Sequence, residues 1–369
     1  MVHRVSLILG HSLSIFGYIA FFMLATTAPS KSGTIGLSIP LSGDAAELGQ
    51  SFRTGAKLAM EIYGSNHQLF ITDDGCDADL AALATEDMKS QNVDIVLGLI
   101  CNAPAKIVAN AFVESKTPVI VAGARSVRLI KDREREAWNL WRMSPGDDYA
   151  VEVAANAIRA LWQTTPYAIV DDGTIYGRSF TDALRIKMDE FGLEPQFSDT
   201  FRAAQSTQAG LLRRLQRSGV TAAFIASATK EDLLTIGQNM AEFEIDLDLI
   251  ASEALVVLPF LEEASRVASG LKVVMAPMPE DETLDALLKE RDIDPDQQIY
   301  NGFAAVQIAT QVLGNTELLR QNDLSGIVFE TVLGGIQFNE NGSSSYNPYE
   351  LHEWDGEVLA PSKSEAETQ

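Results

Sequence analysis

The chain is 369 residues long and carries 51 acidic side chains against 28 Lys plus Arg, a formal charge of −23. That balance leaves no basic surface to neutralise phosphates, which argues against nucleic acid as a partner and against docking on anionic lipid through a basic patch. Apolar residues at 46% and charged residues at 21% exclude a mainly disordered chain, and the length predicts two domains or three. Two cysteines are too few for a disulfide-dense miniprotein or a four-Cys zinc site.

The chain opens on a targeting pattern. Arg4 gives a short positive region, an apolar stretch runs from Val5 to Ala25, and Thr26, Thr27 and Ala28 supply small residues for cleavage. Residues 1–28 are read as a signal peptide. The same stretch is long enough to span a bilayer, so an uncleaved anchor is the rival reading. Export places the remainder in an oxidising compartment.

Strand-like and helix-like segments then alternate. Residues 34–40 (TIGLSIP) form a β-rich run, and Leu48, Phe52, Ala56, Ala59 and Tyr63 recur at helical spacing. Strands are predicted at 68–72, 94–100 and 118–122, with helices at 78–90 and 104–114. The run 94–100 is almost continuously apolar, as a strand covered on both faces should be. A second series follows the loop at 144–148, with strands at 167–171, 196–201, 222–226, 247–251 and 271–276 and helices such as 179–191 and 211–217. One more helix spans 299–313, closing strands are expected at 331–338 and 349–354, and the polar tail 361–369 is expected to be disordered. This βαβ order predicts an α/β fold with parallel sheets in two lobes.

Signature chemistry is sparse. No phosphate-binding glycine loop and no G-x-S-x-G nucleophile motif occurs, and only His67 and His352 lie outside the targeting segment. Asp73, Asp74, Asp77 and Asp79 cluster, but lack the Gly and terminal Glu of a calcium loop, so turn and helix-cap roles are the expectation. No catalytic residue, metal or cofactor is expected.

Cys76 and Cys101 each fall just past the end of a predicted strand. Adjacent parallel strands would bring such ends together, so the thiols could pair, closing a loop worth roughly 3–4 kcal/mol; two buried free thiols are the alternative. Ligands of open parallel sheets bind outside the carboxyl ends of the strands. Asn102, followed by Ala103 and Pro104, reads as the N-cap of a helix whose free N–H groups suit a carboxylate.

Several segments in order now carry a resemblance: 35–62 (IGLSIPLSGDAAELGQSFRTGAKLAMEI), 73–77 (DDGCD), 96–105 (VLGLICNAPA), 117–126 (TPVIVAGARS), 170–180 (VDDGTIYGRSF), 251–255 (ASEAL) and 300–309 (YNGFAAVQIA). Together they resemble the type I periplasmic substrate-binding proteins of ABC transporters, on the leucine/isoleucine/valine-binding branch. The resemblance implies two Rossmann-like lobes joined by three crossovers, here 33–146 with 277–337 and 147–276 with 338–360, and a disulfide between Cys76 and Cys101.

It also implies a ligand set. The carboxylate site corresponds to Asn102 and to Gly123, Ala124 and Arg125. The ammonium partner corresponds to Glu253, the helix-head Tyr-Gly step to Tyr176 and Gly177, and a packing side chain to Leu48. Phe303 or Tyr300 would cover the pocket from the first lobe. Asn102 and Arg125 stand where the family has hydroxyls. Arg125 could read an acid group through its guanidinium fork, or be a rim residue paired with an acid. Ala228 and Thr229 stand where the family often has aromatics, which would open that wall. Trp138 and Trp141 are expected to pack the core or hinge. The function implied is an exported receptor for an amino acid or similar small carboxylate or amide, delivering it to the membrane permease of an ABC importer. A sensory protein of the same fold is the alternative.

Overall fold

A computed structural model describes residues 32–227, 229–252, 270–356 and 359–362. The expected signal peptide and Glu253 lie outside the described residues, as does Ala228.

The first sheet has the order β2-β1-β3-β4-β5, all parallel. Its strands are β1 (Thr34–Ile39), β2 (Gln68–Asp73), β3 (Ile95–Gly98), β4 (Val119–Val121) and β5 (Leu140–Arg142). Alternate residues face opposite layers. Ile95, Leu97, Ile120 and Trp141 meet α1 (Ala46–Tyr63), whereas Val96, Val119, Val121 and Leu140 meet α2 (Ala78–Ser90), α3 (Asn102–Ala111) and α4 (Val127–Arg133). Burial on both faces explains why these strands read as apolar runs.

The second sheet has the order β14-β13-β10-β9-β8-β6-β7. Its parallel part is β6 (Tyr167–Asp171), β7 (Phe197–Thr200), β8 (Ala222–Ala226), β9 (Asp248–Ala251) and β10 (Lys272–Met275). Helices α5 (Asp147–Trp162) and α6 (Ile175–Glu190) cover one face, and α7 (Ala209–Ser218) and α8 (Lys230–Glu242) the other. The sheet is not parallel throughout: β13 (Glu350–Trp354) runs antiparallel to β10, and β14 (Leu359–Pro361) antiparallel to β13.

After β10 the chain returns to the first lobe as α9 (Glu282–Glu290), α10 (Gln297–Gly314) and α11 (Thr316–Gln321). Helix α10 lies tightly along α1. A Cβ at Gly302 would strike the Phe52 carbonyl and one at Gly55 the Ile299 carbonyl, so both positions must lack a side chain for the helices to approach this closely.

Three segments join the lobes. Met143 packs in the first lobe and Ala150 in the second; Met275 in the second and Leu284 in the first; Tyr346 on the first and Tyr349 in the second. The last passage therefore comes later than residue 338. Phe338 sits in the first core against Trp141 and Phe329, and burial of that ring keeps its segment with the first lobe. The single strand expected at 331–338 is a hairpin, β11 (Val328–Thr331) and β12 (Gly334–Gln337). The Thr331 hydroxyl donates to the Gly334 carbonyl at 2.7 Å, and Gly334 has φ +86°. Pro361, expected in the tail, pairs with His352 in the sheet.

Candidate functional site

The carboxyl ends of the parallel strands carry the loops predicted to bind. In the first lobe the Cys76–Cys101 disulfide forms, with Cα atoms 5.4 Å apart. Its strands are not neighbours, as the sequence reading supposed. Strand β1 runs between β2 and β3, and the bridge passes over its end.

The acidic cluster beside it builds turns. Asp73 accepts from the N–H groups of Leu41 and Gly75 at 2.7 and 2.9 Å. Burial pushes its carboxyl up, but these donors and Ser42 outweigh burial and hold it below the ordinary range. Asp74 is fully buried, accepting from the Ser38 hydroxyl and the Cys76 N–H, and burial holds its carboxyl above the ordinary range. Asp77 caps α2 through the N–H groups of Asp79 and Leu80.

Asn102 is not a cap. Cys101, with extended backbone, occupies the cap position, and Asn102 is the first helical residue. Its Oδ1 accepts from Ser126 N–H at 3.2 Å, tying the loop after β3 to the loop after β4. That second loop, residues 123–126, is held along its length. Gly123 lies against Ile100, where a Cβ would approach Ile100 Cα to 2.7 Å. Ala124 N–H donates to the Leu99 carbonyl at 3.0 Å, and its own carbonyl accepts from the Ser144 hydroxyl at 2.9 Å. Arg142 Nη1 donates to the carbonyls of Arg125 and Ser126 at 3.1 and 3.2 Å.

The Arg125 side chain leads from this loop to the lobe passages. Its Nε lies 3.3 Å from Asp147 Oδ1, and its guanidinium stands 5.3 Å from the Tyr349 ring centroid. Arg142 is 2% exposed, with Asp148 Oδ1 at 3.9 Å from Nη2. Burial lowers its basicity, and the charges of Asp148 and Asp147 oppose that effect. Tyr149 donates its hydroxyl to the Ser344 carbonyl, fastening α5 to the end of the first lobe.

In the second lobe, Thr174 caps α6 by accepting from Gly177 N–H at 3.0 Å. Buried Asp172 accepts from the Thr174 N–H and hydroxyl and from the Ser227 hydroxyl. A Cβ at Gly177 would collide with Asp172 Oδ1, so this glycine lets the head of α6 sit on β8. Tyr176 packs on Phe180, which stacks on Phe224. Ser227 and Ser252 exchange hydrogen bonds at the ends of β8 and β9. Thr229 donates its hydroxyl to Asp232 at 2.9 Å. Two large apolar side chains stand in solvent at the heads of the helices after β1 and β6: Leu48 at 44% exposure and Ile175 at 88%.

The structure does not bring Phe303 or Tyr300 to these loops. Phe303 is buried between α1 and α10, edge-on to Tyr63, and the Tyr300 hydroxyl donates to Asp285. Both belong to the apolar stripe of α10. Trp138 and Trp141 are buried and donate to Asn110 and Asn139. His67 accepts from Gly33 N–H, and His352 is buried in β13 beside Glu350. Sequence reading missed Arg142, Ser144, Asp147, Asp172 and Tyr349. Recognising β5 would have found the first two, which fall at its carboxyl end.

Two parallel-sheet lobes, joined by three passages and carrying polar loops at their strand ends, are the architecture of two-lobed solute-binding proteins. The chain belongs to the periplasmic binding protein family, whose model matches residues 33–339. It is 22% identical over 340 residues to Leu/Ile/Val-binding protein homolog 1 of Brucella abortus (strain 2308), covering 87% of this chain and 90% of that protein. Its fold is similar to that of the branched-chain amino acid transporter substrate-binding protein LivJ of Streptococcus pneumoniae, solved with isoleucine, at TM-score 0.64 and 16% identity over 89% of this chain and 98% of the other. It is also similar to a solute-binding protein of an ABC transporter from Rhodopseudomonas palustris HaA2, solved with p-hydroxybenzoic acid, at TM-score 0.67 and 16% identity over 90% and 96%. No helix among the described residues is long and apolar enough to cross a membrane.

Proposed function

We propose that this chain is an exported solute receptor of an ABC importer, holding an amino acid or a similar small carboxylate between its lobes. The observation that carries the reading is the loop 123–126: Asn102 fixes it at Ser126, and the side chain of the preceding Arg125 runs toward the lobe passages beside Asp147 and Tyr349. A guanidinium and the head of α3 on one wall suit an acid group. The two solved relatives hold isoleucine and p-hydroxybenzoic acid, which share only a carboxylate and an apolar body. Leu48 and Ile175 offer apolar surface for such a body, Tyr176 lies at the head of α6, and Glu253 is assigned to an amine where the ligand has one. The lobes close on the ligand by hinge motion, with no bond made or broken. Cleavage after the segment 1–28 would free the receptor in the periplasm, where its partner is the permease.

The test is calorimetry of the chain lacking residues 1–28 against amino acids, their amides and aromatic and aliphatic acids. Saturable binding of at least one carboxylate is expected. Binding of none, or preference for uncharged solutes, overturns the reading. Loss of uptake of the bound solute on deletion of the gene separates import from sensing.

A further inference from the structure

Arg142 is a cation enclosed in the first lobe, and it is spent on backbone. Its side chain is 2% exposed, yet the acid nearest to it, Asp148, stands 3.9 Å away and is 58% exposed. Its hydrogen bonds go instead to the carbonyls of Arg125 and Ser126, at 3.1 and 3.2 Å. Ser144, two residues on, takes the carbonyl of Ala124. Three consecutive carbonyls of one loop are thus drawn toward the lobe interior by two side chains at the end of β5. The space is kept open from the other side: a Cβ at Gly146 would run into Arg142 Nη2 and Asp148 Oδ1. Enclosing a guanidinium costs free energy that two neutral acceptors recover only in part, so stability alone does not favour it over an apolar side chain.

We propose that Arg142 is a positioning residue for ligand recognition, holding the carbonyls of residues 124–126 away from the cleft so that this wall can accept a carboxylate. The proposal rests on the binding reading above. Left free, those three carbonyls would present partial negative charge to the ligand's acid group. Drawn inward, they leave the wall to the Arg125 side chain and the head of α3, and the Arg142 charge adds to the field beneath. Nη1 alone serves both carbonyls, and the planar guanidinium, with Nη2 turned toward Asp148, holds that nitrogen in a fixed geometry that the flexible stem of a lysine does not. Asn102, holding Ser126 N–H from the opposite side, completes the clamp.

The experiment uses the chain lacking residues 1–28 in wild-type, Arg142→Lys, Arg142→Gln and Ser144→Ala forms. Amide hydrogen exchange without ligand reads the loop directly, since Ala124 and Ser126 N–H groups are hydrogen-bonded. Loss of charge-assisted bonds in Arg142→Gln should speed their exchange about tenfold or more, with a smaller effect in Arg142→Lys and no change at Ile169 and Val170 of β6. Unaltered loop exchange, or equal acceleration in both lobes, overturns the proposal. Should Arg142→Gln fail to fold, Arg142→Lys and Ser144→Ala decide by the same measure.

The second arm titrates L-isoleucine against L-isoleucinamide, and 4-hydroxybenzoate against 4-hydroxybenzamide. Preference for acid over amide should fall about tenfold in Arg142→Gln and recover in part in Arg142→Lys. Equal weakening of acid and amide overturns the role in recognition. Failure of the wild type to bind any carboxylate counts against the binding reading, and loop exchange still decides whether Arg142 holds the loop.

Discussion

Arg125 and Asp147 meet across the first passage between the lobes, Nε to Oδ1 at 3.3 Å, one on the loop after β4 and the other at the first residue of α5. Their side chains are 31% and 61% exposed, so the pair is screened and contributes no more than about 1 kcal/mol to stability. Asp147→Asn should shift the urea midpoint only slightly. Arg125→Ala should be equally mild on unfolding but weaken a carboxylate ligand by about tenfold or more in calorimetry, because a charge-assisted bond to the ligand is lost. Equal affinity in wild type and Arg125→Ala would confine Arg125 to the rim.

The disulfide gives a second expectation. Replacing Cys76 and Cys101 together by Ser should cost about 3–4 kcal/mol in urea unfolding, as reopening the loop restores entropy to the unfolded chain. Reducing agent should bring the wild type to the same midpoint and leave the double variant unmoved.

Asp74 predicts a pH dependence. Burial raises its folded pKa above the unfolded value, so the native state binds the proton more tightly. Its contribution is favourable at acid pH and is lost as pH rises from the ordinary carboxylate value through the raised one. Asp73, held below the ordinary range, acts in the opposite sense, and its contribution is lost as pH falls. Unfolding free energy measured against pH should therefore decline less steeply on the rise from the ordinary carboxylate pKa in Asp74→Asn. In Asp73→Asn the loss of stability on acidification should be smaller.

Gly302→Ala tests the contact between α1 and α10. The added methyl meets backbone, which yields less than a side-chain tip, and overpacking of this kind costs about 1–3 kcal/mol. Gly314→Ala, on the same helix with open space around it, should leave the thermal midpoint near that of the wild type.

The sheets were legible because their strands are short apolar runs between turn residues, and helices such as α1 follow a simple apolar period. What failed depends on distant partners. Strand β5 has three residues and ends in an arginine whose acceptors lie 16 and 17 residues back, so nothing local marks Arg142 as structural. Phe303 and Tyr300 sit on a stripe that a core or a pocket would explain equally well, and only the docking of α10 on α1 decides for the core. The hairpin at 328–337 was hidden because its turn, Val332–Leu333, is apolar and carries no turn residue before Gly334. Asn102 has the composition of a cap, but the turn begins one residue earlier, which turns its side chain across to Ser126.

The interleaving of the lobes dictates when the molecule can fold. A ribosome that has released residues as far as Arg142 has made all five strands of the first sheet, but not α10, whose Phe303 and Ala304 cover the face formed by Phe52 and Ala56. The second sheet likewise waits for β13 and β14. Contacts of such wide sequence separation form slowly. The first half lacks its cover until α10 and Phe338 have been made, and the second lacks its last strands until residue 361, so each half can be completed only late in synthesis.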